Sequence, residues 1–110
     1  MQLSTILLIC TAAHLAHTYD EKYDRIEIEN IVANEEIHKA VNDCILGRMD
    51  CGPYWDEVRE LAAEIAQDRC AHCTARQKVI VRTYITATKS KYPDTWRKIR
   101  QMFKKIPQTI

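Results

Sequence analysis

The stretch that decides the fold is residues 44–73, CILGRMDCGPYWDEVRELAAEIAQDRCAHC. Its four cysteines are spaced C-x6-C-x18-C-x2-C. That pattern suits a zinc cage in a reducing compartment or two short disulfide rings in an oxidising one. Pro53 is favoured in the first turn of a helix. The apolar residues after it recur at the spacing of one helix face: Val58, Leu61, Ala62, Ile65 and Ala66. A helix is therefore predicted between the two pairs of cysteines.

Helical spacing continues on the N-terminal side of this stretch. Asn34 is a typical helix N-cap, and Glu35 and Glu36 place negative charge in the first turn, which suits the helix dipole. The apolar face of that helix consists of Ile37, Ala40, Val41, Cys44 and Ile45. Before it, residues 26–33 are predicted to form either a short helix or an extended lead-in.

Two more helices are predicted on the C-terminal side. The first is predicted to be the most buried, because its apolar arc is wider than a surface helix needs. That arc consists of Val79, Ile80, Val81, Tyr84, Ile85 and Ala87. Pro93 opens the last helix, whose stripe is Trp96, Ile99, Phe103 and Ile106. The chain has only two glycines and no alternating strand pattern. The fold class is therefore predicted to be all-α, with a single small domain.

The first residues are typical of a secretory signal. Residues 3–13 are apolar but too short to span about 30 Å of hydrocarbon, and a small-residue cleavage site follows after Thr18. We therefore expect a signal peptide at residues 1–18 and a secreted domain at residues 19–110. The alternative is a buried amphipathic N-terminal helix. Cleavage would remove Cys10 and leave an even number of cysteines.

Secretion favours disulfides over zinc at the remaining cysteines. Four cysteines allow three pairings. The local pairing, Cys44 with Cys51 and Cys70 with Cys73, is preferred because the spacing requires no crosslink between distant helices. Each small ring would contribute about 2–2.5 kcal/mol in the chain-entropy model. That is a large share of the stability of so small a domain.

Several motifs carry a resemblance to a known family. They are the cysteine spacing, Tyr23-Asp24 with Ile26, Ile31 and Val32, Cys73-Thr74 with Gln77-Lys78, and Pro93-Asp94-Thr95-Trp96. Together they resemble the insect chemosensory proteins, also called OS-D-like proteins, over roughly residues 23–103. The resemblance implies five to six short helices around an internal apolar channel, with two local disulfides. It also implies transport of long-chain lipids and semiochemicals through aqueous fluid.

The resemblance further implies which residues line the channel. They are Tyr23, Ile31, Val41, Ile45, Val58, Ile65, Val81, Tyr84, Ile85 and Trp96. A hydroxyl such as that of Tyr23 or Tyr84 would orient a polar head group while the tail lies against aliphatic side chains. The residues alone favour a solidly packed core, so the channel is expected from the resemblance.

Some residues depart from the family pattern. Trp55 stands where glycine is usual, Val41 where tyrosine is common, and Asn42 where an apolar residue is typical. The sequence stops at Ile110 without the longer aromatic, basic tail that makes the family's sixth helix. We expect these departures to change the pocket shape, the ligand size and the cover over one end, and to leave the scaffold intact.

Other chemistry finds little support in the sequence. The motif Cys70-Ala71-His72-Cys73 resembles half a zinc site or a redox pair, but a redox C-x-x-C belongs in a βαβ context. There is no Gly-rich phosphate loop and no serine nucleophile motif. We therefore expect no enzyme, no cofactor and no bound metal. The net charge of +1 also argues against a nucleic-acid partner.

Charge is distributed unevenly along the chain. Residues 19–43 carry eight acidic and three basic side chains, whereas Lys89 to Lys105 carry seven basic residues against Asp94. The basic stretch is either the solvated face of the last helix or a transient contact for an anionic membrane surface, a receptor or an acidic head group.

The combined prediction is a secreted, monomeric carrier of small hydrophobic molecules, such as long-chain fatty acids, alcohols, esters or semiochemicals. The main alternative is a secreted structural or signalling module whose partner is another protein. A third interpretation, a cytosolic zinc-binding helical protein, requires the signal prediction to be wrong.

Overall fold

The computed structural model describes residues 18–103. Within them the chain forms a short 3₁₀ helix, Glu21–Arg25, and then five α-helices. These are α1 (Ile28–Ala33), α2 (Glu35–Leu46), α3 (Pro53–Asp68), α4 (Ala75–Lys91) and α5 (Pro93–Met102). No strand occurs between residues 18 and 103, and the all-α class is confirmed. Residues 1–17 of the expected signal peptide and Ile106 lie outside the described residues.

Local capping signals fix where the helices begin and end. The Asn34 side chain accepts a hydrogen bond from the Ile37 backbone N–H at 3.1 Å, as the N-cap prediction requires. Gly47 ends α2 in the left-handed conformation, at φ 71°. Thr74 and Gln77 form a reciprocal capping box at the start of α4. Both ends of α2 and the start of α4 therefore have a local physical cause.

The helices pack around one main apolar cluster. Helix α4 contacts the 3₁₀ helix, α1 and α5, while α2 contacts α1, α3 and α5. The buried members of the cluster are Ile28, Ile31, Val41, Ile45, Ile80 and Ile99. A second, smaller cluster consists of Ile65, Cys70 and Cys73. Trp55 and Val58 of α3 pack against the main cluster, so every α-helix contributes to it.

The prediction that α4 is the most buried helix is wrong. It buries Gln77, Ile80 and Thr88 and leaves Val79 42% exposed, although it is 17 residues long. Helix α2 buries four of its 12 residues. Successive residues of an α-helix lie about 100° apart. The run from Val79 to Val81 therefore cannot place all its side chains on one face.

Both disulfides have the predicted local pairing. Cys44 is bonded to Cys51, with 5.8 Å between their Cα atoms, and Cys70 to Cys73, with 5.0 Å. The first bond joins the end of α2 to the start of α3, and the second bridges the turn from α3 to α4. All four sulfurs are therefore unavailable as zinc ligands. Arg69 takes the left-handed conformation, at φ 58°, where the chain leaves α3.

The start of α1 and the segment before it are tied to α4 and to the turn that precedes α4. Arg76 forms a two-pronged ion pair with Glu29, both N···O distances being 2.8 Å, and its guanidinium also donates to the Ile26 carbonyl at 3.1 Å. The Arg76 hydrogen bonds lower the pKa of Glu29 to about 2. Further upstream, the Tyr19 N–H donates to the His72 carbonyl at 2.9 Å. These contacts hold Tyr23 against the bundle.

Candidate binding cavity

The bundle contains an apolar cavity of about 160 Å³ that is partly open to solvent. The 3₁₀ helix and all five α-helices contribute to its wall. All ten residues that were predicted to line a channel lie on it: Tyr23, Ile31, Val41, Ile45, Val58, Ile65, Val81, Tyr84, Ile85 and Trp96. The structure therefore brings together residues that are spread over more than seventy positions of the sequence.

Sequence reasoning missed the other half of the wall. The missed residues are Ile26, Ile28, Trp55, Leu61, Ala62, Ala66, Gln77, Ile80, Ile99 and Phe103. Most of them belong to the apolar stripes already identified in the sequence, so helical spacing could have found them. Ala62 and Ala66 are the informative pair, because they lie one turn apart on α3 and small side chains leave room where larger ones would fill it.

Five wall residues carry a polar group, and three of these groups have hydrogen-bond partners in the protein. The Tyr23 hydroxyl donates to Glu57 Oε2 at 3.4 Å. Gln77 accepts from the Thr74 N–H at 3.0 Å and donates from Nε2 to the Asp20 carbonyl at 2.9 Å. The other two residues are Trp55 and Trp96. The Trp96 indole Nε1 is buried and has no hydrogen-bond partner within residues 18–103.

The third partnered group, the Tyr84 hydroxyl, belongs to a buried polar cluster between α2 and α4. The hydroxyl donates to Asn42 Oδ1 at 2.5 Å. One turn along α4, Thr88 Oγ1 lies 2.9 Å from Nε2 of His38. His38 and Thr88 are both 0% exposed, and Asn42 is 3% exposed. We refer to these four residues as the α2–α4 polar cluster.

Burial shifts the pKa of two members of this cluster in opposite senses. It raises the pKa of Tyr84 well above its usual range, and the hydrogen bond from Thr88 opposes that shift only in part. It lowers the pKa of His38, and the positive charge of Lys91 adds to the effect. Both side chains are therefore neutral near pH 7. The cavity wall carries no charged side chain next to this cluster.

These contacts change the expected roles of the two tyrosines. Both were predicted to be available for orienting a head group, but each hydroxyl proton is engaged by a protein acceptor. The Trp96 N–H was not singled out in the sequence, because nothing local reveals whether an indole will find a partner.

The basic side chains near the C-terminus have varied surroundings. Lys91 Nζ donates to the Val32 carbonyl at 2.6 Å, Lys89 Nζ lies 5.8 Å from the centre of the Trp96 ring, and Arg97 pairs with Asp94 at 3.0 Å.

Between residues 18 and 103, no helix has both the length and the apolar content that crossing a membrane requires.

A small disulfide-crosslinked helical bundle around one apolar cavity defines a class of ligand-binding proteins. The chain belongs to the insect pheromone-binding family A10/OS-D, whose model matches residues 19–109. This match confirms the family that the sequence motifs indicate.

Named relatives agree with this assignment. Allergen Tha p 1 of Thaumetopoea pityocampa is 29% identical over 102 residues, which is 90% of this chain and 81% of that protein. The putative odorant-binding protein A10 of Drosophila melanogaster is 21% identical over 85 residues, or 77% of this chain and 55% of that protein. A solved chemosensory protein in complex with bromo-dodecanol is 25% identical and superposes with a TM-score of 0.72, covering 80% of this chain and 88% of that chain.

Proposed function

We propose that this protein carries small hydrophobic molecules in the cavity between its helices. The observation that carries the proposal is the cavity itself, whose wall is apolar apart from single polar groups on five side chains. The solved relative of the same fold holds bromo-dodecanol, and the family is one of ligand-binding carriers. We propose long-chain alcohols, esters and acids as ligands and the ten predicted wall residues as their contacts.

The size of the cavity sets a physical condition on binding. A cavity of about 150 Å³ lined by aliphatic and aromatic side chains accommodates a ligand the size of benzene. The cavity of about 160 Å³ in this protein is of that order, whereas pockets for larger ligands run from about 300 to 1,000 Å³. A long aliphatic chain therefore requires wall side chains to change rotamer, or it leaves part of its length outside.

Apolar burial would supply most of the affinity, at about 0.8 kcal/mol for each CH₂ group. Affinity for a series of straight-chain alcohols should therefore rise by up to about fourfold per CH₂ until the cavity is filled. Competition with a fluorescent apolar probe, such as N-phenyl-1-naphthylamine, measures this series directly. Native mass spectrometry of the same mixtures gives the stoichiometry.

A variant that fills the cavity provides the decisive comparison. Ala66→Leu adds three carbon atoms to the wall, so we expect the affinity optimum to move to shorter chains and the free energy of unfolding to rise by up to about 2 kcal/mol. Gln67→Leu, on the exposed side of the same helix, should change neither. If no alcohol of any length binds the native protein, the carrier function is refuted, and a structural or signalling module becomes the better interpretation.

Two further features of the proposal concern location and chemistry. We propose that the protein is secreted and that its mature chain begins at Tyr19, which mass spectrometry of protein secreted from insect cells would test. Disulfides of this kind are typical of oxidising compartments. No catalytic step is proposed, and the exchange of ligand involves no bond formation.

A further inference from the structure

The N-terminal strap, which we define as residues 19–26, forms one side of the cavity between α3 and α4. It contains the 3₁₀ helix and contributes Tyr23 and Ile26 to the cavity wall. No residue of the 3₁₀ helix is buried. The helix therefore covers apolar space without a fully buried side chain to hold it there, which is typical of a segment with low local stability.

On the α4 side, the strap is held by partly buried hydrogen bonds. Gln77, which is 3% exposed, donates to the Asp20 carbonyl at 2.9 Å. The Thr74 hydroxyl, at the N-cap of α4, donates to the Asp24 carboxylate at 2.8 Å. Breaking such bonds is costly, because a buried polar group that loses its partner is cut off from water as well. The α4 side is therefore the fixed side of the strap.

On the α3 side, the strap is held mainly by exposed groups. Glu57 Oε2 lies 3.1 Å from Lys22 Nζ and accepts a hydrogen bond from the Tyr23 hydroxyl at 3.4 Å. The side chains of Lys22 and Glu57 are 49% and 52% exposed. Ion pairs as exposed as this one contribute little and weaken further in salt. A partly buried contact, from the Tyr19 hydroxyl to Asp68, lies at the far end of α3.

The seam between the strap and the first half of α3 leads to the cavity. Tyr23 of the strap and Trp55 and Val58 of α3 lie on the wall, and all three are partly exposed. Tyr54 meets the Tyr23 ring edge-on, with 6.1 Å between the ring centres. The first half of α3 buries no residue, because Ile65 is the only buried residue of that helix. Neither border of this seam is therefore fixed by core packing.

We propose that ligands enter and leave the cavity through this seam, and that Glu57 holds the entrance closed. This inference rests on the proposed carrier function. When both contacts of Glu57 break, the seam opens while the bonds to α4 keep the strap in place. Glu57 is not a wall residue. It therefore controls how often the entrance opens and does not contact the bound ligand.

Removing the Glu57 side chain should speed ligand exchange in both directions. Glu57→Ala removes both contacts and keeps a residue that favours helix. The association and dissociation rate constants of N-phenyl-1-naphthylamine, measured by stopped-flow fluorescence, should each rise about two- to fivefold. The Kd should stay within about twofold, because the contacts of Glu57 stabilise the closed state equally with and without ligand.

The matched control is Glu60→Ala. Glu60 is an exposed acidic residue of the same helix and does not line the cavity. The substitution changes the net charge by the same amount as Glu57→Ala. Both rate constants should therefore stay at their native values in this variant.

Salt provides a second measurement on the native protein. Raising NaCl from about 0.05 M to about 0.5 M shortens the Debye length and screens the pair of Lys22 and Glu57. Release of the probe should therefore become faster in the native protein and in Glu60→Ala, but not in Glu57→Ala.

Three results would overturn the inference while the carrier function stands. They are native exchange rates in Glu57→Ala, equal acceleration in Glu60→Ala, and a change of Kd in Glu57→Ala through the dissociation rate alone. The first two would place the entrance elsewhere, and the third would mean that Glu57 supports the bound ligand. Failure of every ligand to bind the native protein overturns the carrier function, and this inference with it.

Discussion

Replacing Tyr84 with phenylalanine tests whether the α2–α4 polar cluster holds the bundle together. The hydroxyl donates to Asn42 Oδ1 at 2.5 Å, and Asn42 is 3% exposed. Tyr84→Phe removes the donor and leaves the Asn42 carbonyl buried without it. Phenylalanine keeps the ring, so the apolar packing against the cavity is little changed.

The expected cost follows from the asymmetry of buried hydrogen bonds. Removing one partner of a buried pair costs about 1–3 kcal/mol, whereas replacing both with apolar groups of the same shape is nearly neutral. Tyr84→Phe should therefore lower the free energy of unfolding by about 2 kcal/mol. For a domain of this size that corresponds to a fall in Tm of about 8–16 °C.

Urea unfolding followed by circular dichroism, on oxidised protein at neutral pH, measures this change. The informative comparison is the double variant Tyr84→Phe with Asn42→Leu, which should regain most of the lost stability because neither polar group remains. The reasoning is refuted if Tyr84→Phe costs less than about 0.5 kcal/mol, or if the double variant loses the sum of the two single losses. A loss of ligand affinity without a loss of stability would instead return Tyr84 to the head-group role.

Two other changes give independent checks. Burial lowers the pKa of His38 in the folded protein. In the unfolded chain the same imidazole binds a proton at about pH 6.5, whereas in the folded protein it stays neutral at that pH. The free energy of unfolding should therefore fall as the pH drops below about 6.5. His38→Gln should flatten that dependence in urea titrations at several pH values, whereas the exposed His72→Gln should retain it. Gly47→Ala should destabilise the protein by about 1 kcal/mol or more. The φ angle of Gly47 is 71°, and an added Cβ would lie 2.7 Å from the Arg59 guanidinium. An unchanged Tm would contradict this prediction.

The sequence predicts features that depend on neighbouring residues and misses those that depend on distant ones. Pro53, Asn34 and the glycines mark helix ends through local rules, and the disulfides join cysteines three and seven positions apart. The capping box at Thr74 was also available from its T-x-x-Q pattern and was overlooked. His38 and Thr88, in contrast, are 50 residues apart, and no local pattern indicates that they meet.

The cavity shows the same limit. Its wall residues come from apolar stripes that helical spacing identifies, yet spacing cannot say whether those stripes pack solid or leave room. The family resemblance supplied that expectation, and the geometry of Ala62 and Ala66 on α3 is consistent with it. Which polar wall groups find a partner depends on rotamers and on residues distant in the sequence, and only the structure shows it.

The placement of the two crosslinks also has a consequence for how the chain matures. Each disulfide joins cysteines on either side of a single turn, so the two thiols meet at high effective concentration before any helix has docked. Every other pairing must close a loop that reaches across the whole of α3. The native pairs are therefore favoured as soon as the thiols are oxidised, and their formation does not require the helices to be packed together first. Both crosslinks depend on local chain geometry, as a turn does, and not on the completed tertiary structure.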